Sequence, residues 1–131
     1  MTENSAVVRQ LVELFNQRDF RRAERLYADG YVNRSPLPIA RDQPATLGTS
    51  GMRGLVQLVP DARSDIVQLV EKGNLVVLHT LVRGRGEYGD VAVEFVNVFR
   101  LENGLIQESW SLADSLKLMG ELGIKLEATE A

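Results

Sequence analysis

The sequence predicts an α+β fold: a cone-shaped curved antiparallel sheet wrapped around three N-terminal helices, with a short C-terminal helix. Three observations predict it. Apolar residues recur at helical spacing only before Pro60 and after Asp114, β-branched and aromatic runs fill residues 64–112, and glycine-containing turns separate those runs. At 131 residues the chain suits one domain, spanning 1–131, that buries a continuous core without disulfides.

Val7, Val8, Leu11, Leu14 and Phe15 follow a cap at Asn4 or Ser5 and predict an amphipathic helix over 5–17. Asp19 caps a second, short helix with Phe20, Ala23, Leu26 and Tyr27 on its inner face, and Asp29-Gly30 ends it. Tyr31-Val32-Asn33 is a short extended piece. Residues 34–47 hold Pro36, Pro38 and Pro44 with few periodic apolar positions, which predicts a loop, and its length makes Pro36–Pro44 a candidate pocket rim. A third helix starts at Thr49 or Ser50, carries Met52, Leu55, Val56 and Leu58 and stops at Pro60. Residues 64–70 and 75–83 read as strands, and a glycine-rich turn over 84–90 leads into a hairpin spanning Val91 to Leu112. Asp114 caps a last helix over 115–122, before a polar tail expected to be loose.

The hairpin turns at Glu102-Asn103-Gly104, and its register decides which side chains share a face, because one residue of slip turns every side chain over. A two-residue loop at Asn103-Gly104 puts Trp110 opposite Asn97. A three-residue loop with Gly104 as a bulge instead groups Phe95, Asn97 and Phe99 with Gln107, Ser109 and Ser111, a polar pocket among aromatic rings. That grouping leaves Val96, Val98, Ile106, Trp110 and Leu112 as a second apolar face, which a second subunit would cover.

The composition excludes several chemistries. No cysteine is present, so disulfides, thiolate nucleophiles and thiolate metal sites are absent, and one histidine rules out a multi-histidine zinc site. A net charge of -3 with scattered arginines does not favour nucleic acid. No apolar run approaches a membrane span, and Met-Thr-Glu-Asn-Ser is unlike a secretory leader, so no membrane association and a cytoplasmic location are expected. No metal, nucleotide or flavin signature occurs, and any reaction is expected to be cofactor-free.

Leu26-Tyr27-Ala28-Asp29-Gly30-Tyr31-Val32-Asn33, the Gly51-Met52-Arg53-Gly54-Leu55 helix start with Pro60-Asp61 after it, and the hairpin Val98-Phe99-Arg100…Asn103-Gly104-Leu105-Ile106…Trp110 resemble the SnoaL-like branch of the nuclear-transport-factor-2-like superfamily over roughly residues 5–122. The resemblance implies a conical cavity lined by the inner sheet face and a homodimer through the outer one. It also implies a polyketide cyclase, an isomerase, an epoxide hydrolase or a non-enzymatic binding protein, since fold alone does not select chemistry. In the cyclases the hairpin typically ends in His-Trp-Asp, whose Asp is the acid/base. Here Ser109-Trp110-Ser111 stands in that tripeptide, and Asn97 occupies a position where relatives often carry Asp or His.

The candidate catalytic residues are therefore His79 and Asn97. Asn97 interrupts the apolar face of Val91, Val93, Phe95 and Phe99; it is either bonded to backbone or water, or it is a ligand-facing donor to a carbonyl or enolate oxygen. His79 is a general base if it faces inward with Val77 and Leu81, and otherwise a structural or interface residue. Tyr31, Asn33, Phe95, Phe99, Ser109 and Ser111 are the candidate substrate-binding residues, with Ser109 and Ser111 lining the wall rather than acting as nucleophiles. Trp110 reads as a packed or dimer-interface aromatic and Asp114 as a cap.

The expected function is ring closure or isomerisation of a bulky, apolar carbonyl or polyketide-like substrate, with proton transfer by His79 and oxyanion support from Asn97 and Asn33. The alternatives are a dimeric binding or accessory protein that has lost the acid/base pair, and an epoxide hydrolase, which would need a buried carboxylate that the hairpin does not offer.

Overall fold

The computed structural model describes residues 3–35 and 47–123. The proline-rich segment 36–46 and the tail 124–131, expected to be a pocket rim and a loose end, lie outside the described residues. The elements are helix α1 (Glu3–Asn16), helix α2 (Phe20–Glu24), strand β1 (Tyr27–Asn33), helix α3 (Ser50–Leu58), strands β2 (Arg63–Lys72), β3 (Leu75–Gly86), β4 (Gly89–Glu102) and β5 (Leu105–Ala113), and helix α4 (Ser115–Glu121). The α+β class with helices against one face of a curved, open sheet is as the sequence predicts. The strand order is β1-β5-β4-β3-β2, antiparallel from β2 to β5, while β1 joins the edge parallel to β5.

The predicted caps hold at two helices: Asp19 accepts from the Arg22 amide and Asp114 from the Lys117 amide, both at 3.1 Å. At α1 the expectation is corrected. Ser5 lies inside the helix, and its amide and hydroxyl both donate to Glu71 on β2, at 2.6 and 2.9 Å, so its side chain ties α1 to the sheet instead of capping it. Asp29-Gly30 does not end α2 either. It lies within β1, where the pairing with β5 slips between Tyr27 and Val32, because edge pairing with β5 satisfies this backbone better than another helical turn would.

Two apolar clusters fill the space between helices and sheet. One gathers Val8, Leu11, Leu14, Tyr27, Val76, Leu78, Phe99 and Ile106; the other gathers Phe15, Leu55, Val59, Val82, Val91, Val93 and Phe95. Asn16 locks the end of α1 onto β2, donating to the Ser64 carbonyl at 2.9 Å and accepting from its amide at 2.8 Å. Glu24, at the end of α2, caps α3 from a distance: its carboxylate accepts from the Gly48 amide at 2.9 Å and from the Thr49 amide and hydroxyl at 3.0 and 2.8 Å. Gly48 has to be glycine, because a Cβ there would stand 2.2 Å from the Tyr27 ring.

The β4–β5 turn combines the two alternatives left open by the sequence. Glu102 pairs with Leu105, and Asn103 and Gly104 both have positive φ, 52° and 76°, the signature of a two-residue type I′ loop. One step further on, Leu101 faces Ile106 but Arg100 faces Glu108, so Gln107 is an extra residue. Beyond that bulge Asn97 faces Ser111 and Phe99 faces Ser109. The expected grouping is therefore present for Ser109 and Ser111 but not for Gln107, which is itself the bulge and turns its amide to the Glu102 and Leu105 carbonyls. Ile106, expected on the outer face, lies before the bulge and is fully buried in the core.

Because three α3-cap donors depend on one carboxylate, Glu24→Ala is expected to lower stability by about 2 kcal/mol in urea unfolding, and Glu24→Gln by less. Equal stability of the three proteins would show that the cap is dispensable.

Candidate active site

The inner face of the sheet, roofed by α1 and α3, encloses a cavity of about 130 Å³ that is continuous with open solvent. From the helices come Leu11, Val12, Phe15, Gly51 and Met52, and from the sheet Leu78, Val82, Phe95 and Phe99, so most of the wall is apolar. The polar lining comes from the edge of the sheet: Tyr31 and Asn33 on β1, Ser109 and Ser111 on β5, Asn97 on β4, with Ser64 and Thr80 across on β2 and β3.

Two short hydrogen bonds organise that polar side. The Tyr31 hydroxyl meets Ser109 Oγ at 2.6 Å, and Ser111 Oγ donates to Asn97 Oδ1 at 2.6 Å. Occupying Oδ1 in this way leaves Asn97 its two amide N–H groups as donors toward the cavity. Ser111 is itself fixed, its amide donating to Ser35 Oγ at 2.6 Å. Asn33 Oδ1 accepts from the Ser35 amide at 3.1 Å, so this residue lines the cavity and also shapes the start of the following loop.

Tyr27 and Tyr31 stack edge to face with centroids 4.7 Å apart. Burial raises the Tyr31 phenol above its ordinary value, the Ser109 hydrogen bond opposes this, and the Glu24 charge adds to it. Burial, with Tyr31 and Glu24 nearby, pushes Tyr27 up well above the ordinary value too. Both are therefore neutral hydroxyls at physiological pH, able to donate a hydrogen bond and to pass a proton on without remaining ionised.

Of the residues singled out in the sequence, Asn97, Tyr31, Asn33, Phe95, Phe99, Ser109 and Ser111 all line this one cavity. His79 does not, and the expectation of a catalytic role for it, conditional on an inward orientation, is corrected. It lies on the outer face, where its Nδ1 is 3.0 Å from Gln68 Nε2 and its Nε2 is 2.9 Å from Glu94 Oε1. The physical reason is register: β3 and β4 join through Glu87-Tyr88, which sets Thr80 opposite Phe95 and Leu78 opposite Asn97, so even-numbered β3 residues point inward. Thr80, 3% exposed, holds the inward place expected for His79. Sequence reasoning missed Thr80 because Leu75 to Val82 is apolar on both faces; counting back from a two-residue turn at Glu87-Tyr88 would have found it. Tyr27, Gly48, Gly51 and Ser64 were missed too, since helix-to-sheet approach brings them in.

Among the described residues lining the cavity none is Asp, Glu, His, Lys or Arg, and the two tyrosines are the only titratable groups. The arrangement therefore offers hydrogen-bond donors in an apolar enclosure, without a charged acid or base.

On the outer face, Val70, Val77, Val98 and Trp110 lie side by side on neighbouring strands, and Gln68, His79, Val96 and Leu112 form the next row. Trp110 is 37% and Leu112 69% exposed, so the apolar outer face predicted for the hairpin exists apart from Ile106. No helix of the described residues is long and apolar enough to cross a membrane.

Solved structures share this architecture. A provisionally assigned polyketide cyclase from Bacillus cereus superposes with a TM-score of 0.80 at 18% identity, over 94% of this chain and 82% of its own. IdmH of Streptomyces antibioticus, also provisionally assigned as a polyketide cyclase, gives 0.76 at 22% identity over 94% and 100%. AclR of Streptomyces galilaeus, provisionally assigned as a hydroxylase, gives 0.78 at 18% over 92% and 96%. At these identities the likeness shows the fold alone. No curated protein sequence matches the chain significantly. The SnoaL-like domain model matches residues 8–109, most of the chain and nearly all of the cavity, and the protein therefore belongs to the SnoaL-like family of the nuclear-transport-factor-2-like fold.

Proposed function

We propose that this protein is a cofactor-free small-molecule enzyme that cyclises or isomerises an apolar, polyketide-like carbonyl substrate by enclosing it and polarising one of its oxygens. The observation that carries this reading is the Asn97 amide, held through Oδ1 by Ser111 among phenylalanines with its N–H groups available to the cavity. His79, tied to Gln68 and Glu94 on the other face, has no part in it.

With no charged acid or base among the described residues that line the cavity, the proton is taken from the substrate itself, a compound that reaches the site as an enol. Its enol carbon attacks a second carbonyl carbon, a carbon–carbon bond forms, and the C=O electron pair moves onto oxygen. Asn97 N–H stabilises that developing alkoxide. The proton released from the enol oxygen passes through the Tyr31–Ser109 hydroxyl pair to the alkoxide. The apolar wall lowers the local polarity around the bound substrate, which strengthens each of these contacts.

The lack of a charged acid/base group among the described lining residues also favours a second reading, a binding or accessory protein. Turnover separates the two: a tight ligand recovered unchanged after long incubation would establish binding alone. An epoxide hydrolase is not proposed, because no carboxylate lines the described cavity.

On the enzymatic reading Asn97→Ala lowers kcat/KM by about 100-fold, raising KM as well as lowering kcat because the same N–H groups bind the ground-state carbonyl. His79→Ala leaves both constants unchanged, and kcat is flat from about pH 6 to 9 because the lining tyrosines are raised above that window. A bell-shaped profile in that range, or loss of activity in His79→Ala, would refute the mechanism.

The apolar outer face is proposed to bury against a second copy. Sedimentation at micromolar concentration is expected to give about twice the 14.6 kDa chain mass, and Trp110→Glu to give the monomer. A wild-type monomer would remove this assembly.

A further inference from the structure

Two glycines at the start of α3 line the cavity, and they are glycine for different reasons. Gly48 is required by packing, as the Tyr27 ring occupies the space of its side chain. Gly51 has no such requirement: its φ is ordinary, and a Cβ built there meets nothing within 4 Å among the described residues outside its own helix turn. It is the second residue of the helix, where glycine costs up to about 1 kcal/mol relative to alanine. Leu55, four residues on and on the same helix face, is buried in the core, so the missing side chain would project inward. No packing among the described residues requires this glycine, and the cavity it lines gains volume from it.

We infer that Gly51 sets the size of ligand the site accepts, the substrate placing a ring or branched carbon where the side chain of any other residue would stand. The inference rests on the proposed function, in that the ligand is an apolar carbonyl compound whose oxygen is bound by Asn97. A cavity of about 130 Å³ is close to the roughly 150 Å³ that takes up one benzene in a protein core. The enclosed part of the ligand is thus one six-membered ring, and a fused second ring is accommodated only with the space left by Gly51 and the open mouth.

The test uses cyclohexanone and 2-decalone as probes, with dissociation constants from ligand-observed NMR on wild type, Gly51→Ala, Gly51→Val and Asn97→Ala. Wild type binds both ketones. Gly51→Ala weakens 2-decalone by roughly tenfold or more, and Gly51→Val further, with little effect on cyclohexanone. Gly51→Ala melts no lower than wild type, as alanine is the better helix former, which separates lost volume from lost folding. If Asn97→Ala weakens both ketones while both Gly51 variants bind them as wild type does, the size-setting role is wrong and the carbonyl site stands. If Asn97→Ala binds both unchanged, or wild type binds neither ketone, the carbonyl site and the inference both fall.

Discussion

The site depends on one extra residue in one strand. Gln107 interrupts the β4–β5 ladder, and from that point on the side chains of β5 change faces relative to an unbroken hairpin. Before the bulge Ile106 points into the core; after it Ser109 and Ser111 point in, while Trp110 points out. An unbroken ladder from the same type I′ turn would put Trp110 opposite Asn97 and turn both serines away. The bulge thus converts what would be an aromatic-filled core into a cavity with a polar edge, and exports the tryptophan to the outer face.

The polar edge is then held in place by bonds that reach across the fold. Ser111 is fixed by Ser35 and fixes Asn97, and Ser109 fixes Tyr31, so the Asn97 amide and the Tyr31 hydroxyl have their orientations set by partners on the neighbouring strand β5. The opposite wall is held as firmly, with Glu24 capping α3 and Asn16 clamping α1 to β2. A donor that is already oriented needs no reorganisation when charge develops in front of it, which is where hydrogen-bond catalysis obtains its advantage over water. On the proposed reading, this preorganisation stands in for the acidic residue that the resemblance to cyclases led one to look for.

Much of the fold was legible from local patterns. Val8, Leu11 and Phe15 keep helical spacing, Asp19 and Asp114 stand where a cap is needed, and Asn103-Gly104 permits only a few turns. Most of the site was legible for a related reason: Asn97 among Phe95, Phe99 and the valines is an amide on an apolar face, and such a group in a sheet points to a lined cavity. Where local pattern was ambiguous the reading failed. Residues 75–82 are apolar on both faces, so nothing local told His79 from Thr80, and Asp29-Gly30 ends a helix as readily as it lets an edge strand bulge.

The sequence by itself determined the identity and rough limits of the helices, the hairpin turn and the chemical character of the cavity wall, because these follow from spacing, caps and side-chain type within a few residues. Only the tertiary structure decided which way His79 and Thr80 point, where β1 pairs, and that Gln107 rather than Gly104 carries the bulge. Those are questions of strand register, and register is fixed by ladders between segments far apart in the chain, where a single residue of slip reverses every side chain without changing any local preference.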